Sequence, residues 1–195
     1  MEDNDGWTVL HCAAQSGNFE VIETILALYP ESERLQALHR TTHDGETALH
    51  FVAGLGIVEC IKAVLALYPE SEHLHLVSMA DNNGWTTLHC AATSGNFEAI
   101  ETILALYPES ERLQALNMTT ISGDTVLHMI VAGSDNIECI KAVLSLYPES
   151  QWRQVLDKEN SYGRTALDEE TRNSIMGWLS QSENSASKRH TSQYH

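Results

Sequence analysis

A six-residue phrase, Gly-x-Thr-x-Leu-His, returns along this chain at a fixed interval, beginning at Gly6, Gly45, Gly84 and Gly123. A fifth copy begins at Gly163, with Asp168 in the histidine's place. The spacings are 39, 39, 39 and 40 residues. A period of this size signals one supersecondary unit stacked on its neighbours, each covering the apolar face that the next cannot bury alone. Such an array presents an extended surface and does not normally build an enclosed catalytic pocket.

The unit itself predicts helices. Gly6 suits a turn with positive φ. Thr8 is placed to N-cap a helix over Val9 to Gln15, with Leu10, Ala13 and Ala14 on one apolar side. The alanines let neighbouring helices approach closely. Ser16-Gly17-Asn18 ends that helix, with Gly17 as C-cap and Asn18 capping the next. Phe19, Ile22, Ile25, Leu26 and Tyr29 then recur at helical spacing and predict a second helix over Phe19 to Tyr29. Proline disfavours helix in the residue before it and is tolerated at a helix's first position. A short third helix is therefore expected over Pro30 to Leu38, and Pro30, Pro69, Pro108 and Pro148 all fall at this place. The polar stretch from His39 to Asp44 reads as an exposed hairpin-like finger leading to the next glycine.

These units resemble ankyrin repeats. The resemblance rests on Gly6-Trp7-Thr8-Val9-Leu10-His11 with Ala13-Ala14 and Gly17, and on Gly84-Trp85-Thr86-Thr87-Leu88-His89 with Ala91-Ala92 and Gly95. Gly45 to His50 and Gly123 to His128 match less fully. It covers roughly residues 3 to 180. The family's motif proline is replaced by Val9, Ala48, Thr87, Val126 and Ala166, and each unit is longer by its Tyr-Pro-Glu-Ser segment. Ile57 replaces the capping asparagine in the second unit, and the fourth carries an extra residue around Gly133-Ser134-Asp135, which predicts a bulged turn. The resemblance implies an all-α solenoid of helix-turn-helix units with finger loops and an extra short helix per repeat. Repeats starting near 3, 42, 81 and 120, and a terminal cap from 160, make an array over 1–181. The cap is expected to open on a charged first helix from Thr165 to Glu170.

A longer period lies over the first. Residues 6–38 and 84–116 differ at three positions only, Val9/Thr87, Gln15/Thr93 and Val21/Ala99. The duplicated unit is thus a pair of repeats, 78 residues long. Long repeats of this kind resemble those of effector proteins from intracellular bacteria, with eukaryotic scaffolds as the alternative. Residues 182–195 turn to Ser, Asn, Gln, His and Lys without periodicity and read as a disordered tail. Under the effector reading this tail would be an export signal.

Composition excludes some partners. The chain carries 27 acidic against 11 basic residues, a net charge of −16. Phosphate backbones are gripped by Lys and Arg, so neither nucleic acid nor an anionic membrane is the expected ligand. Two readings of the acid remain: a solvated outer surface, or attraction for a protein with a basic patch. No stretch is apolar enough to span a bilayer and no signal peptide is visible, so a cytoplasmic protein is expected, in a host's cytoplasm under the effector reading. A monomer is expected. Cys12, Cys60, Cys90 and Cys139 sit at repeat-equivalent places that suit buried thiols in a reducing compartment.

No phosphate loop, nucleophile elbow or zinc spacing is present, so neither catalysis nor a cofactor nor a metal is expected, an enzyme with an unrecognised site being the remote alternative. Adjacent residues such as His11-Cys12 point about 100° apart on a helix and do not converge. The histidines are expected to bridge neighbouring fingers by hydrogen bonds. The resemblance places the residue after the motif glycine at the exposed base of the finger: Trp7, Glu46, Trp85, Asp124 and Arg164. Exposed tryptophan is enriched at binding hot spots; the alternative is that each indole packs on the next finger. Around them His43, Asp44, Asn82, Asn83 and Tyr162 vary on a constant frame, as a recognition surface requires. Leu55, with Gln15 and Thr93, is expected to line the same groove.

Overall fold

The structure, a computed structural model, describes residues 2–178. The expected tail at 182–195, and the end of the expected array, lie outside the described residues. Twelve helices form four triads: α1 (Val9–Ser16), α2 (Phe19–Ala27) and α3 (Glu31–Leu38); α4 (Ala48–Leu55), α5 (Val58–Leu65) and α6 (Glu70–Ser78); α7 (Thr87–Thr93), α8 (Phe97–Leu104) and α9 (Glu109–Leu116); α10 (Val126–Gly133), α11 (Ile137–Leu144) and α12 (Glu149–Leu156). A further helical stretch covers residues 169–178. The first helices stack directly on one another, and the second helices form a parallel row behind them. Ala14, Ala53, Ala91 and Ala92 have no exposed surface, which is what lets the first helices approach.

Local chemistry sets each boundary. Thr8 stands in extended geometry and its hydroxyl accepts from the His11 N–H, while Gly17 ends α1 at φ 67°. Asn18 caps α2 through the Val21 N–H. Ile57 cannot cap, and α5 begins without a side-chain partner. Two expected boundaries shift. The second helix stops at Ala27 rather than Tyr29, because the two residues before Pro30 have already left the ladder. Pro30 is not the first helical residue but the extended cap before Glu31, at ψ 142°.

The extra residue of the fourth unit does bulge the turn. Ser134 occupies the usual glycine place at φ −133°, and Asp135 takes the left-handed conformation at φ 50°. Just before it, Gly133 lies so close to α7 that a Cβ would meet the Thr93 carbonyl oxygen at 2.2 Å.

The fifth unit departs from its expected form. Residues 165–168 are not helical, and no charged first helix forms there. Asp168 instead accepts from the Thr171 N–H at 2.7 Å and caps the stretch that follows. Replacing the motif histidine by aspartate thus moves the helix start by about one turn. Ala166, Leu167 and Ile175 still complete the core.

Candidate partner-binding surface

Each finger is closed by the side chain three residues before its glycine. Asp3 Oδ1 accepts from the Asp5 and Trp7 N–H groups, and Asp81 Oδ1 from those of Asn83 and Trp85. Thr42 and Thr120 do the same for Glu46 and Asp124, and Asn160 for Tyr162 and Arg164. Such side-chain-closed turns replace a backbone partner with a local acceptor. Sequence reasoning missed these residues, although Asp, Thr, Asp, Thr and Asn at a constant offset from each glycine were the available signal.

The fingers are also tied to each other. The His43 N–H donates to the Asp5 carbonyl, Asn82 to Asp44, Ile121 to Asn83 and Ser161 to Ser122, all at 2.8–2.9 Å. Asn82 Nδ2 adds a bond to the His43 carbonyl, and Asn160 Nδ2 one to Asp124 Oδ1. Arg40 pairs with Glu2 across the first two fingers. The result is a ladder of turns running along one face of the array.

The motif histidines anchor that ladder from below. Nδ1 of His11 accepts from the Thr8 backbone N–H at 3.0 Å, so it carries no proton. The proton therefore sits on Nε2, which donates to the Arg40 carbonyl at 2.9 Å. His89 bonds Met118 and His128 bonds Arg164 in the same way. His50 keeps the Thr47 half of the arrangement, but its Nε2 lacks a hydrogen-bond partner, although backbone groups of Met79 and Trp85 lie near it. The expected bridging role therefore holds for three histidines of four. Burial pushes His11, His50 and His89 below the ordinary imidazole value.

The chain matches a family model described as ankyrin repeats in three copies over residues 27–112, and a single ankyrin repeat over 5–29. The chain belongs to the ankyrin-repeat family. The matches end at 112, yet α10–α12 build a fourth ankyrin unit with the same capping threonine, histidine bridge and finger bond. No curated protein matches the chain, so nothing there bears on a likeness to bacterial effectors. Ankyrin repeats are in general protein–protein interaction modules and typically non-catalytic. Among the described residues no helix is long and apolar enough to cross a membrane, and no group of three or more His, Cys, Asp or Glu residues could hold a metal.

On the ankyrin face formed by fingers and first helices, the sequence-selected residues divide into tips and bases. His43, Asp44, Asn82, Asn83, Tyr162 and Arg164 are exposed, as are Leu55 and Gln15. Trp7, Trp85, Glu46, Asp124 and Thr93 are half-buried. The two tryptophans are thus less exposed than expected. The Trp7 ring lies 4.6 Å from that of Phe51 on the next first helix, and Trp85 rests against the core. An indole is too broad to stand free at a finger base when an apolar neighbour is within reach. Burial raises the Glu46 carboxyl above the usual carboxylate range, and the nearby charges of Asp81 and Asp44 raise it further. The half-buried Cys90 thiol on the same face is pushed up to about 12, first by desolvation, and stays protonated. Cys12 is exposed; all four cysteines are free.

Proposed function

We propose that this chain binds a partner protein, without catalysis, on the face made by its fingers and first helices. The observation that supports this reading most is the division within each finger. The frame is held by side-chain closures, backbone bonds between fingers and histidine bridges, while the two tip residues form a different pair in every repeat: Asn4-Asp5, His43-Asp44, Asn82-Asn83, Ile121-Ser122 and Ser161-Tyr162. A rigid frame lowers the entropy lost when the varied side chains engage a partner.

Within that reading Trp7 and Trp85 are anchors, half-buried two repeats apart, each offering a held ring edge and the remaining exposed surface to a ligand. Rings fixed before binding suit hot spots because little freedom remains to be lost. The partner carries a basic patch: the Glu46 carboxyl is raised first by burial and further by the charges of Asp81 and Asp44, and a lysine or arginine brought among these three acids would relieve their repulsion.

Affinity capture from a cell lysate followed by surface plasmon resonance on the captured protein tests this reading. Asp44→Asn with Glu46→Gln is expected mainly to slow association and to weaken its salt dependence. Trp7→Ala with Trp85→Ala is expected mainly to hasten dissociation. Circular dichroism of each variant separates lost binding from lost fold. Normal binding by folded tryptophan variants would reassign recognition to the second and third helices.

A further inference from the structure

The first repeat presents an apolar face that the later repeats cover wholly or in part. Val9 is 51% exposed, while its counterparts Ala48, Thr87 and Val126 are buried. Val21 is 39% exposed, while Cys60, Ala99 and Cys139 are buried. Leu28 is 81% exposed, whereas Leu67, Leu106 and Leu146 are half-buried. Tyr29 is half-exposed, but Tyr68 and Tyr107 are buried and donate their hydroxyls to the Leu38 and Val77 carbonyls at the ends of α3 and α6. In the later repeats the counterparts of these four positions are covered by the preceding repeat, as the Tyr68 and Tyr107 bonds to Leu38 and Val77 show.

The substitutions between repeats 1 and 3 sharpen the point. Two of the three positions at which residues 6–38 and 84–116 differ lie on this face. At both, repeat 1 carries the larger aliphatic side chain: Val9 for Thr87 and Val21 for Ala99. A face left to water gains polar groups, as solenoid caps do. This one has more apolar surface than the internal face it duplicates.

We propose that this face is a docking interface for one further repeat of the even-numbered class, the class of residues 42–80. Repeat 3 shows how the occupant sits, because it is the near-copy of repeat 1 and it rests on repeat 2. There α6 packs against α7, and the Val77 carbonyl at the end of α6 accepts from both Thr87 Oγ1 and the Tyr107 hydroxyl. The occupant's third helix would end over Val9, and its last carbonyls would take the Tyr29 hydroxyl. Both even repeats carry the Tyr-Pro-Glu-Ser segment that leads into such a third helix, at Tyr68 and Tyr147, whereas no such segment follows the fifth motif at Gly163.

The test is a fusion in which a copy of Thr42–Ala80 is placed directly before Asp3, recreating the Ala80–Asp81 junction. In urea, one cooperative transition is expected, with a higher midpoint than the parent and an m-value larger by roughly one fifth, in proportion to the added chain. Leu28→Lys with Val21→Lys is expected to leave the parent midpoint in place and to lower that of the fusion. A separate transition for the added unit, or an equal shift in parent and fusion, would overturn the proposal. So would a parent dimer in analytical ultracentrifugation that the lysine pair disperses, since the occupant would then be a second copy.

Discussion

The Nε2–H of His89 donates to the carbonyl of Met118, 3.1 Å away and 29 residues further along the chain. The bond joins the first helix of one repeat to the entry of the next finger, and it requires the neutral ring with Nδ1 free to accept from the Thr86 N–H at 3.1 Å. Protonation would put a donor against a donor.

A pH dependence follows from burial of these rings. His11, His50 and His89 all titrate below their unfolded value of 6.5. A lowered pKa means that the unfolded chain binds protons first, so the stability contributed is complete above about 6.5 and is lost as pH falls from there. Asp3, Asp81 and Asp124 face these rings and soften the effect, while Arg40 deepens it at His11. Glu46, raised by burial, acts with the opposite sign: its contribution is present below 4.5 and fades as pH rises through its folded value. The urea midpoint is expected to drop between pH 7 and 5, and His89→Gln is expected to flatten that slope. A midpoint constant over this range would contradict the requirement that these rings stay neutral in the fold.

Ala92 and Glu23 test the assignment of helix faces. Ala92 is fully buried on α7, where the flanking first helices pack, and Glu23 is exposed on α2. Ala92→Leu is expected to cost about 1–3 kcal/mol by overpacking. Glu23→Ala should stay within about 0.5 kcal/mol. Urea titration compares them directly.

The tyrosine before each proline offers a paired comparison. Tyr107→Phe removes a buried hydroxyl bonded at 2.7 Å to the Val77 carbonyl, a group whose pKa burial has pushed up to about 12. Loss of about 1 kcal/mol is expected, with Thr87 still satisfying the carbonyl. Tyr29→Phe removes a hydroxyl that meets no preceding helix and should be neutral. Thermal melts of the two variants and the parent decide the matter.

Glycines at the ends of two first helices should behave differently. A Cβ on Gly133 would strike the α7 backbone, so Gly133→Ala is expected to destabilise by about 1–3 kcal/mol. At Gly54 the nearest atom to a Cβ is 4.0 Å away, and Gly54→Ala is expected to be tolerated or mildly stabilising, as alanine is the better helix former. Equal losses in differential scanning calorimetry would show that α10 has shifted relative to α7.

The period of 39 residues, the capping threonines and asparagines and the four prolines were enough to place three helices per unit and to identify the family, because those signals act within a few residues of backbone. The sequence also marked which finger residues vary. It did not reveal that Asp3, Asp81 and Asn160 close the fingers, since such residues are common in any polar turn and the closure is a matter of geometry. Nor could it show that Trp7 would lean on Phe51, 44 positions away, rather than stand free. The same holds for Tyr68 and Tyr107, whose hydroxyls find carbonyls 30 residues back. Periodicity is a property of one unit and survives in the sequence. What each side chain meets depends on the unit stacked against it, and only the packed array decides that: near-identical segments gave a buried Tyr107 in repeat 3 and a half-exposed Tyr29 in repeat 1.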